Sequence, residues 1–146
     1  MHNSQFIIAS GPVIIEDNKV LLNRHGETPE DQKIWKFVGG RVELEDYRVE
    51  EDILEQACVR EVMEEMGIEI EIITPLKPML IVKHGDPNKY VILIHYLAKR
   101  IGEIHTGDDI VEWGWFDINN LPNDCAPNIK PVIDNYRHLS TQKDNI

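Results

Sequence analysis

The sequence predicts one compact domain of the α+β or α/β class, a sandwich of strands and helices. Its 146 residues, 42% hydrophobic and 28% charged, suffice for one sizeable core and argue against a disordered chain. The period of the apolar residues changes along the chain, from strand-like runs to a helical stripe and back. The resulting order of strands, helix, strands and helix contains no linker composition, which favours a single domain over residues 1–146.

The first elements read as a hairpin and a loop. Residues 6–15, rich in isoleucine and valine, are typical of a buried strand, and residues 19–23 predict a second strand that closes the hairpin. Residues 24–34 are polar and contain a proline, which indicates a loop. The short apolar piece that follows, residues 35–38, ends at Gly39–Gly40.

Residues 52–66 give the clearest helix signal. Asp52 has the side chain of a helix N-cap, and Gly67 suits the left-handed position just past a helix end. Between them, Cys58, Val62 and Met66 make one apolar stripe. The sequence therefore predicts a helix that packs on a sheet along this stripe.

After Gly67 the strand period returns. Residues 68–72 alternate strictly between isoleucine and glutamate, as in a half-exposed strand. Further strands are predicted at residues 79–83, 90–100 and 111–116. Residues 127–139 predict a last helix, with Pro131 in its first turn.

The overall charge restricts the possible ligands. A formal net charge of −11 repels nucleic-acid backbones, so non-specific DNA or RNA binding is not expected. An anionic small molecule stays possible if divalent cations neutralise the site. Cys58 and Cys125 form no C-x-x-C pair, which excludes zinc ribbons and thioredoxin-like redox sites.

The N-terminal residues point to a cytoplasmic protein. They lack the positively charged region of a signal peptide. The apolar run at residues 6–15 is too short to span a bilayer and is broken by Gly11–Pro12. We therefore expect no membrane association.

Three glutamates of the predicted helix share one narrow sector. At about 100° per residue, Glu64 lies roughly 60° to one side of Glu61 and Glu65 roughly 40° to the other. Like charges at this spacing repel by a few tenths of a kcal/mol. A hard divalent cation such as Mg²⁺ would offset that repulsion, because it prefers oxygen ligands. Taken alone, the three glutamates favour a solvated acidic helix face over a metal site.

Residues 60–68, Arg-Glu-Val-Met-Glu-Glu-Met-Gly-Ile, carry a resemblance to a known family. They match the last nine positions of the Nudix signature, Arg-Glu, an aliphatic residue, any residue, Glu-Glu, any residue, Gly and an aliphatic residue. Residues 35–43 resemble the family's loop before the helix, and residues 109–116 and 119–122 resemble the segments common after it. The chain thus resembles the MutT-like Nudix hydrolases over nearly the whole domain.

The first half of the signature departs from the family pattern. Val38 stands where a proline is usual, and the stretch from Gly40 to Arg60 is six residues too long. Asp46 takes the place of the first signature glutamate when counted from Gly40, and Asp52 takes it when counted from Arg60. The partner of Arg60 is therefore open, and an insertion is expected around residues 44–51.

The resemblance implies a Nudix-type sandwich, with a mixed β-sheet between helices. It also implies a Mg²⁺-dependent hydrolase, with Mn²⁺ as a possible substitute, that cleaves a diphosphate bond in a nucleoside di- or triphosphate derivative by attack of water on phosphorus. The alternative is a non-catalytic Nudix-fold module that binds a nucleotide or a protein. A homodimer is possible.

The resemblance also assigns roles to individual residues. The implied metal ligands are the Gly40 carbonyl, Glu61, Glu64 and Glu65. The implied catalytic residues are Glu61, Glu64, Arg60 and, as the general base outside the signature, Asp109, with Asp108 and Glu112 as other candidates. The substrate contacts expected from side-chain chemistry are Arg41, Trp35 and Arg24. The histidines show no ligand spacing and read as incidental, His25 among them.

Overall fold

The computed structural model describes residues 5–48, 51–83 and 86–144, so Val49 and Glu50 of the expected insertion lie outside the described residues. Eight strands and two α-helices lie in the described part. In chain order they are β1 (Gln5–Glu16), β2 (Lys19–His25), β3 (Lys36–Phe37), β4 (Gly40–Arg41), α1 (Ile53–Met66), β5 (Glu69–Pro75), β6 (Met79–Val82), β7 (Lys89–Ile101), β8 (Ile110–Asp117) and α2 (Ile129–Asp144). The predicted α+β class is confirmed.

The sheet is mixed, as expected, and β1 lies at its centre. β1 runs parallel to β7 along ten residue pairs, from Gln5 opposite Lys89 to Ile14 opposite Ala98. It runs antiparallel to β2 and β4. β2 continues the sheet to β3 and β8, and β7 continues it to β5 and β6.

The two helices pack on opposite faces of this sheet. Successive side chains of a strand point to opposite faces. Accordingly, Val13 and Leu22 belong to the cluster that holds the α2 side chains, whereas Ile14 and Leu21 belong to the cluster that holds Val62 and other α1 side chains. The near-continuous apolar runs of β1 and β2 are explained by this burial on both faces.

Helix α1 is closed at both ends by the residues that the sequence indicated. The Asp52 carboxylate accepts hydrogen bonds from the backbone N–H groups of Leu54, at 2.8 Å, and Glu55, at 3.3 Å. Gly67 is left-handed at φ 65° and closes the other end. The backbone N–H of Gly107 donates to the Glu65 carbonyl at 3.0 Å, so the segment before β8 folds over the C-terminal end of α1.

Helix α2 starts two residues later and ends five residues later than predicted, with Pro131 in its first turn. Proline is tolerated there because its missing N–H would have no partner within the helix. In the described residues, neither helix is long and apolar enough to cross a bilayer.

A buried histidine joins α2 to the sheet. His95 on β7 is buried, with Nε2 at 3.1 Å from Asn128 Nδ2 and Nδ1 at 3.4 Å from the Lys77 carbonyl oxygen. These contacts suit a neutral ring whose Nδ1–H donates to Lys77 and whose Nε2 accepts from Asn128. Burial lowers the pKa of His95 to about 4.

We expect this histidine to make the unfolding free energy depend on pH. Between the unfolded pKa of about 6.5 and the folded pKa of about 4, only the unfolded chain takes up the proton, so stability is lost as the pH falls through that window. The loss from this one group is at most about 3 kcal/mol. Urea unfolding of wild type and His95→Gln at pH 7 and pH 4 measures it. An equal loss in both proteins would contradict the assignment.

Candidate active site

Buried and half-buried polar side chains gather where three segments meet: the C-terminal half of α1, the end of β2, and the Gly39–Gly40 loop between β3 and β4. The antiparallel pairing of Ser10 on β1 with Gly40 on β4 holds the loop beside the sheet. The Ser10 hydroxyl also donates to the Leu54 carbonyl at 2.7 Å, which fixes the start of α1 on β1. The carboxylates of the helix therefore face a loop whose position is set by the sheet.

Glu65 is the most enclosed of the three glutamates. Its Oε2 accepts hydrogen bonds from the Gly39 N–H, at 3.0 Å, and from Asn23 Nδ2, at 3.2 Å. Its Oε1 lies 3.3 Å from His25 Nε2. Burial raises the pKa of Glu65 to about 8 despite these donors. The effect of burial on this carboxylate thus exceeds that of the two hydrogen bonds.

Glu61 lies directly against the backbone of the loop. A Cβ added to Gly40 would lie 2.7 Å from Glu61 Oε1 and closer still to two other atoms of the carboxylate. Only glycine lets the loop approach this closely. Burial also raises the pKa of Glu61, although Arg60 Nη1 donates to its Oε1 at 2.9 Å.

We expect Gly40→Ala to lower the turnover number strongly with little loss of stability. The new methyl group would meet the flexible end of the Glu61 side chain, which can swing aside at low cost and thereby leaves the loop. The turnover number should fall at least tenfold while the melting temperature stays within about 3 °C, since a displacement of about 1 Å can cost 10²-fold in rate.

Gly114→Ala on β8 is the matched control. Its added Cβ would meet Phe116 at 3.5 Å, which is ordinary van der Waals contact. Activity of Gly40→Ala at the level of this control would contradict the close approach of loop and carboxylate.

Arg60 ties the loop to the helix through Asp46. Arg60 Nε donates to Asp46 Oδ1, and Nη2 donates to Asp46 Oδ2 at 3.0 Å and to the Arg41 carbonyl at 3.0 Å. Asp46 is only 5% exposed and lies on a short 3₁₀ turn, Leu44–Asp46. The hydrogen bond from Arg60 lowers the pKa of Asp46. Of the two aspartates left open by the sequence, Asp46 is thus the partner of Arg60, and Asp52 is the helix N-cap.

The remaining glutamate is exposed. Glu64 has 59% of its side chain exposed and pairs with Arg60 Nη1 at 3.1 Å, one helical turn away. No set of three or more His, Cys, Asp or Glu side chains is already arranged to hold a metal ion in the part of the chain that the structure describes. Arg60 Nη1 pairs with both Glu61 and Glu64, so a cation bound by these two carboxylates would compete with Arg60.

The residues nevertheless fit a divalent cation. The donors are carboxylate oxygens, which magnesium prefers, and the Gly40 position leaves no side chain between Glu61 and the loop. A further sign is Asn23 Oδ1, a buried acceptor without a hydrogen-bond partner among the described residues. Glu61, Glu65, Glu64 and the Gly40 carbonyl would hold the ion.

The acidic residues after α1 lie at the margin of this site. Asp108 and Asp109 are exposed, and the Asp109 carbonyl accepts the Gly26 N–H at 2.8 Å, next to His25. Burial lowers the pKa of His25, while the charge of Asp109 acts on it in the opposite direction. Glu112 instead faces Arg24, at 3.1 Å.

Two of the residues expected to contact substrate, Trp35 and Arg24, already have partners within the protein. Trp35 is 6% exposed and packs on Phe116 in the core, so its ring has no free face for a ligand. Arg24 lies 4.2 Å from the centre of the Trp35 ring and is paired with Glu112 and Asp124. Trp35 thus packs in the core and Arg24 forms ion pairs, while their expected contacts with a substrate stay predictions.

Arg41 follows Gly40 on β4 and is exposed at the site. Two neighbours were missed from the sequence, Asn23 and His25. The sequence did mark Asn23, because it is a polar amide that directly follows the apolar run Val20–Leu21–Leu22. His25 gave no such signal, because its contact with Glu65 depends on the register of β2 against α1.

Comparison with known proteins gives the same family by sequence and by structure. A NUDIX domain model matches residues 7–136. An ADP-ribose pyrophosphatase from Methanocaldococcus jannaschii is 34% identical over 134 residues, which cover 89% of this chain and 73% of that protein. The crystal structure of a MutT NUDIX hydrolase from Burkholderia pseudomallei is similar at a TM-score of 0.75 and 26% identity, covering 90% of this chain and 98% of that one.

A more distant structure supports the fold alone. The MutT protein from Methanosarcina mazei Go1 has a TM-score of 0.75 at 18% identity, with 94% of this chain and 96% of that one covered.

Proposed function

Because the chain belongs to the Nudix family, we propose that it is a Mg²⁺-dependent pyrophosphohydrolase that cleaves the diphosphate bond of a nucleoside diphosphate derivative. The observation that carries the proposal is the set of Glu61, Glu64 and Glu65 beside the glycine loop, with Arg60 fixed to Asp46. Nudix hydrolases generally use divalent metals. The choice of Mg²⁺ rests on the all-oxygen donor set.

The chain's own residues would bring the diphosphate and water together. When bound, the cation neutralises the diphosphate and lowers the pKa of water. We propose that Arg41, which is exposed directly after Gly40, meets the negative charge of the substrate. Arg60 keeps the loop and helix in register and stays cationic, because the Asp46 hydrogen bond raises its pKa further.

Hydrolysis forms a bond from the water oxygen to phosphorus and breaks the bond from that phosphorus to the bridging oxygen. The bridging oxygen leaves on the second phosphate, and the proton of water passes to a carboxylate. Glu64 and Asp109 are the exposed carboxylates at the site that we propose for this proton.

ADP-ribose is the first substrate to test. The relative from Methanocaldococcus jannaschii is named as an ADP-ribose pyrophosphatase and shares 34% of its residues over the aligned 134. Cleavage of ADP-ribose at its diphosphate would yield AMP and ribose 5-phosphate, with one water consumed.

Trp113 is the aromatic residue best placed to contact the substrate base. It lies opposite Asn23 in the pairing of β8 with β2, so both side chains are on the same face of the sheet. Trp113 is 39% exposed, unlike the buried Trp35. Its ring therefore has exposed surface on the face of the sheet that also carries Asn23.

We expect Trp113→Ala to raise the KM for the nucleotide about two- to tenfold and to leave kcat nearly unchanged, since an aromatic stacking contact contributes about 0.5–1.5 kcal/mol. Phe6→Ala, at an exposed aromatic residue near the start of β1, is the control. If Phe6→Ala raised the KM more than Trp113→Ala did, the base would instead be assigned to the surface formed by β1 and β7.

The alternative of a non-catalytic binding module is disfavoured by the buried charge. Glu61 and Glu65 are held in surroundings that raise their pKa values, and a module that only binds has no need of such carboxylates. A burial of this kind is typical of sites at which charge is used.

The proposal is tested by a hydrolysis screen with Mg²⁺ over ADP-ribose, nucleoside triphosphates, dinucleoside polyphosphates and nucleotide sugars, with products separated by ion-exchange chromatography. We expect release of a nucleoside monophosphate from ADP-ribose. Binding of a panel member, measured by calorimetry, without turnover of any would support the binding module instead.

A further inference from the structure

A buried amide on β2 has no explanation in the packing of the fold. Asn23 is 0% exposed, although asparagine is disfavoured in strands and a buried polar group without a partner costs about 1–3 kcal/mol. Its neighbours Leu21 and Leu22 are apolar core residues. Its Nδ2 donates to Glu65, and its Oδ1 has no hydrogen-bond partner among the described residues.

The donated hydrogen bond determines how Glu65 is presented. Glu65 Oε2 receives Asn23 Nδ2 at 3.2 Å and the Gly39 N–H at 3.0 Å, so strand and loop hold the same oxygen. A free glutamate side chain would lose rotamer entropy on binding a cation. A carboxylate that is already held loses less, and therefore binds more tightly.

We propose that Asn23 is a positioning residue that holds Glu65 for cation binding. The inference rests on the proposed function of Glu65 as a metal ligand. Hydrogen-bond partners of ligating groups typically contribute 10–100-fold to metal affinity. The unpaired Oδ1 supports the proposal, because magnesium keeps several waters and a bound water would supply the missing donor.

The test measures the binding of Mn²⁺ alone, by calorimetry in the absence of substrate. Asn23→Leu keeps the branched shape of the side chain but removes the donor, and the smaller Asn23→Ser serves if the first variant does not fold. We expect Mn²⁺ to bind 10–100-fold more weakly to the variant. The Mg²⁺ concentration for half-maximal activity should rise in parallel, with the KM for substrate nearly unchanged.

Asn128→Leu is the matched control, since Asn128 is also buried but contacts His95. It should lose stability and keep the Mn²⁺ affinity of wild type. In a Glu65→Gln background, Asn23→Leu should change that affinity less than twofold. Wild-type affinity in a folded Asn23 variant would overturn the positioning role, whereas the absence of Mn²⁺ binding in wild type would overturn the metal site itself.

Discussion

Glu65→Gln should lower kcat by at least 100-fold and raise the melting temperature of the metal-free protein. The amide keeps the shape of the side chain and an oxygen that can accept from the Gly39 N–H and Asn23 Nδ2. It loses the charge that a cation needs. Because burial raises the pKa of Glu65 to about 8, the ionised form opposes folding at neutral pH, and the neutral amide does not. Activity and stability should therefore move in opposite directions.

Initial rates with ADP-ribose and thermal melts in a chelating buffer measure the two effects. Glu55→Gln, in the first turn of the same helix, is the matched control and should keep kcat within about twofold. Parallel losses of activity and stability in Glu65→Gln would show that Glu65 is a structural residue and not a ligand.

Asp46→Ala should destabilise the protein by about 2 kcal/mol, because hydrogen bonds to charged groups contribute about 1.5–3 kcal/mol. For a chain of this length the melting temperature should fall by roughly 4–8 °C. We also expect kcat to fall at least tenfold, since Arg60 loses the contact that fixes the loop carrying Gly40.

The loss of stability in Asp46→Ala should become smaller as the pH falls. Arg60 lowers the pKa of Asp46 in the folded protein, so the pair stabilises it above the unfolded pKa near 3.9 and is lost as the pH falls through the lower folded value. The difference in unfolding free energy between wild type and Asp46→Ala should therefore become smaller at acidic pH.

Asp52→Ala is the informative control, because Asp52 is the other aspartate that the sequence allowed as the partner of Arg60. Losing the N-cap should cost about 1 kcal/mol and leave kcat unchanged. A larger fall in kcat for Asp52→Ala than for Asp46→Ala would contradict the pairing.

Local patterns in the sequence were sufficient for most elements of the fold, although they did not indicate β4. The helix of residues 52–66 was predicted from its cap, its apolar stripe and Gly67, all of which act within a few residues of one another. The strands followed from alternation and from apolar runs. Apart from the hairpin of β1 and β2, their parallel or antiparallel pairing came only from the family resemblance, because strand order depends on contacts between distant residues.

The candidate site divides in the same way. The glutamates of α1 share a sector by helical geometry alone, so residues 60–68 carried their own signal. The partner of Arg60 depends on how the longer loop folds, and counting residues could not decide between Asp46 and Asp52. The enclosure of Glu65 by Asn23 and His25 was likewise invisible, since 42 and 40 residues separate them in the chain.

The burial of Trp35 also depends on a distant segment. Trp35 lies beside a polar loop in the sequence, but the segment that precedes α2 pairs with it. The Trp35 N–H donates to the Asp124 carbonyl at 2.9 Å, and the Trp35 carbonyl accepts from Ala126 at 2.8 Å. This pairing covers the residue, and it joins segments about 90 positions apart.

The central claim is that the carboxylates of α1 bind a divalent cation that the hydrolysis of ADP-ribose requires. Its most direct test is the initial rate of ADP-ribose cleavage by the wild-type chain, titrated with Mg²⁺ from a chelated, metal-free start. We expect no product at the start and a saturable rise in rate with Mg²⁺. Cleavage at an undiminished rate in the chelator, or no cleavage at any Mg²⁺ concentration, would contradict the claim.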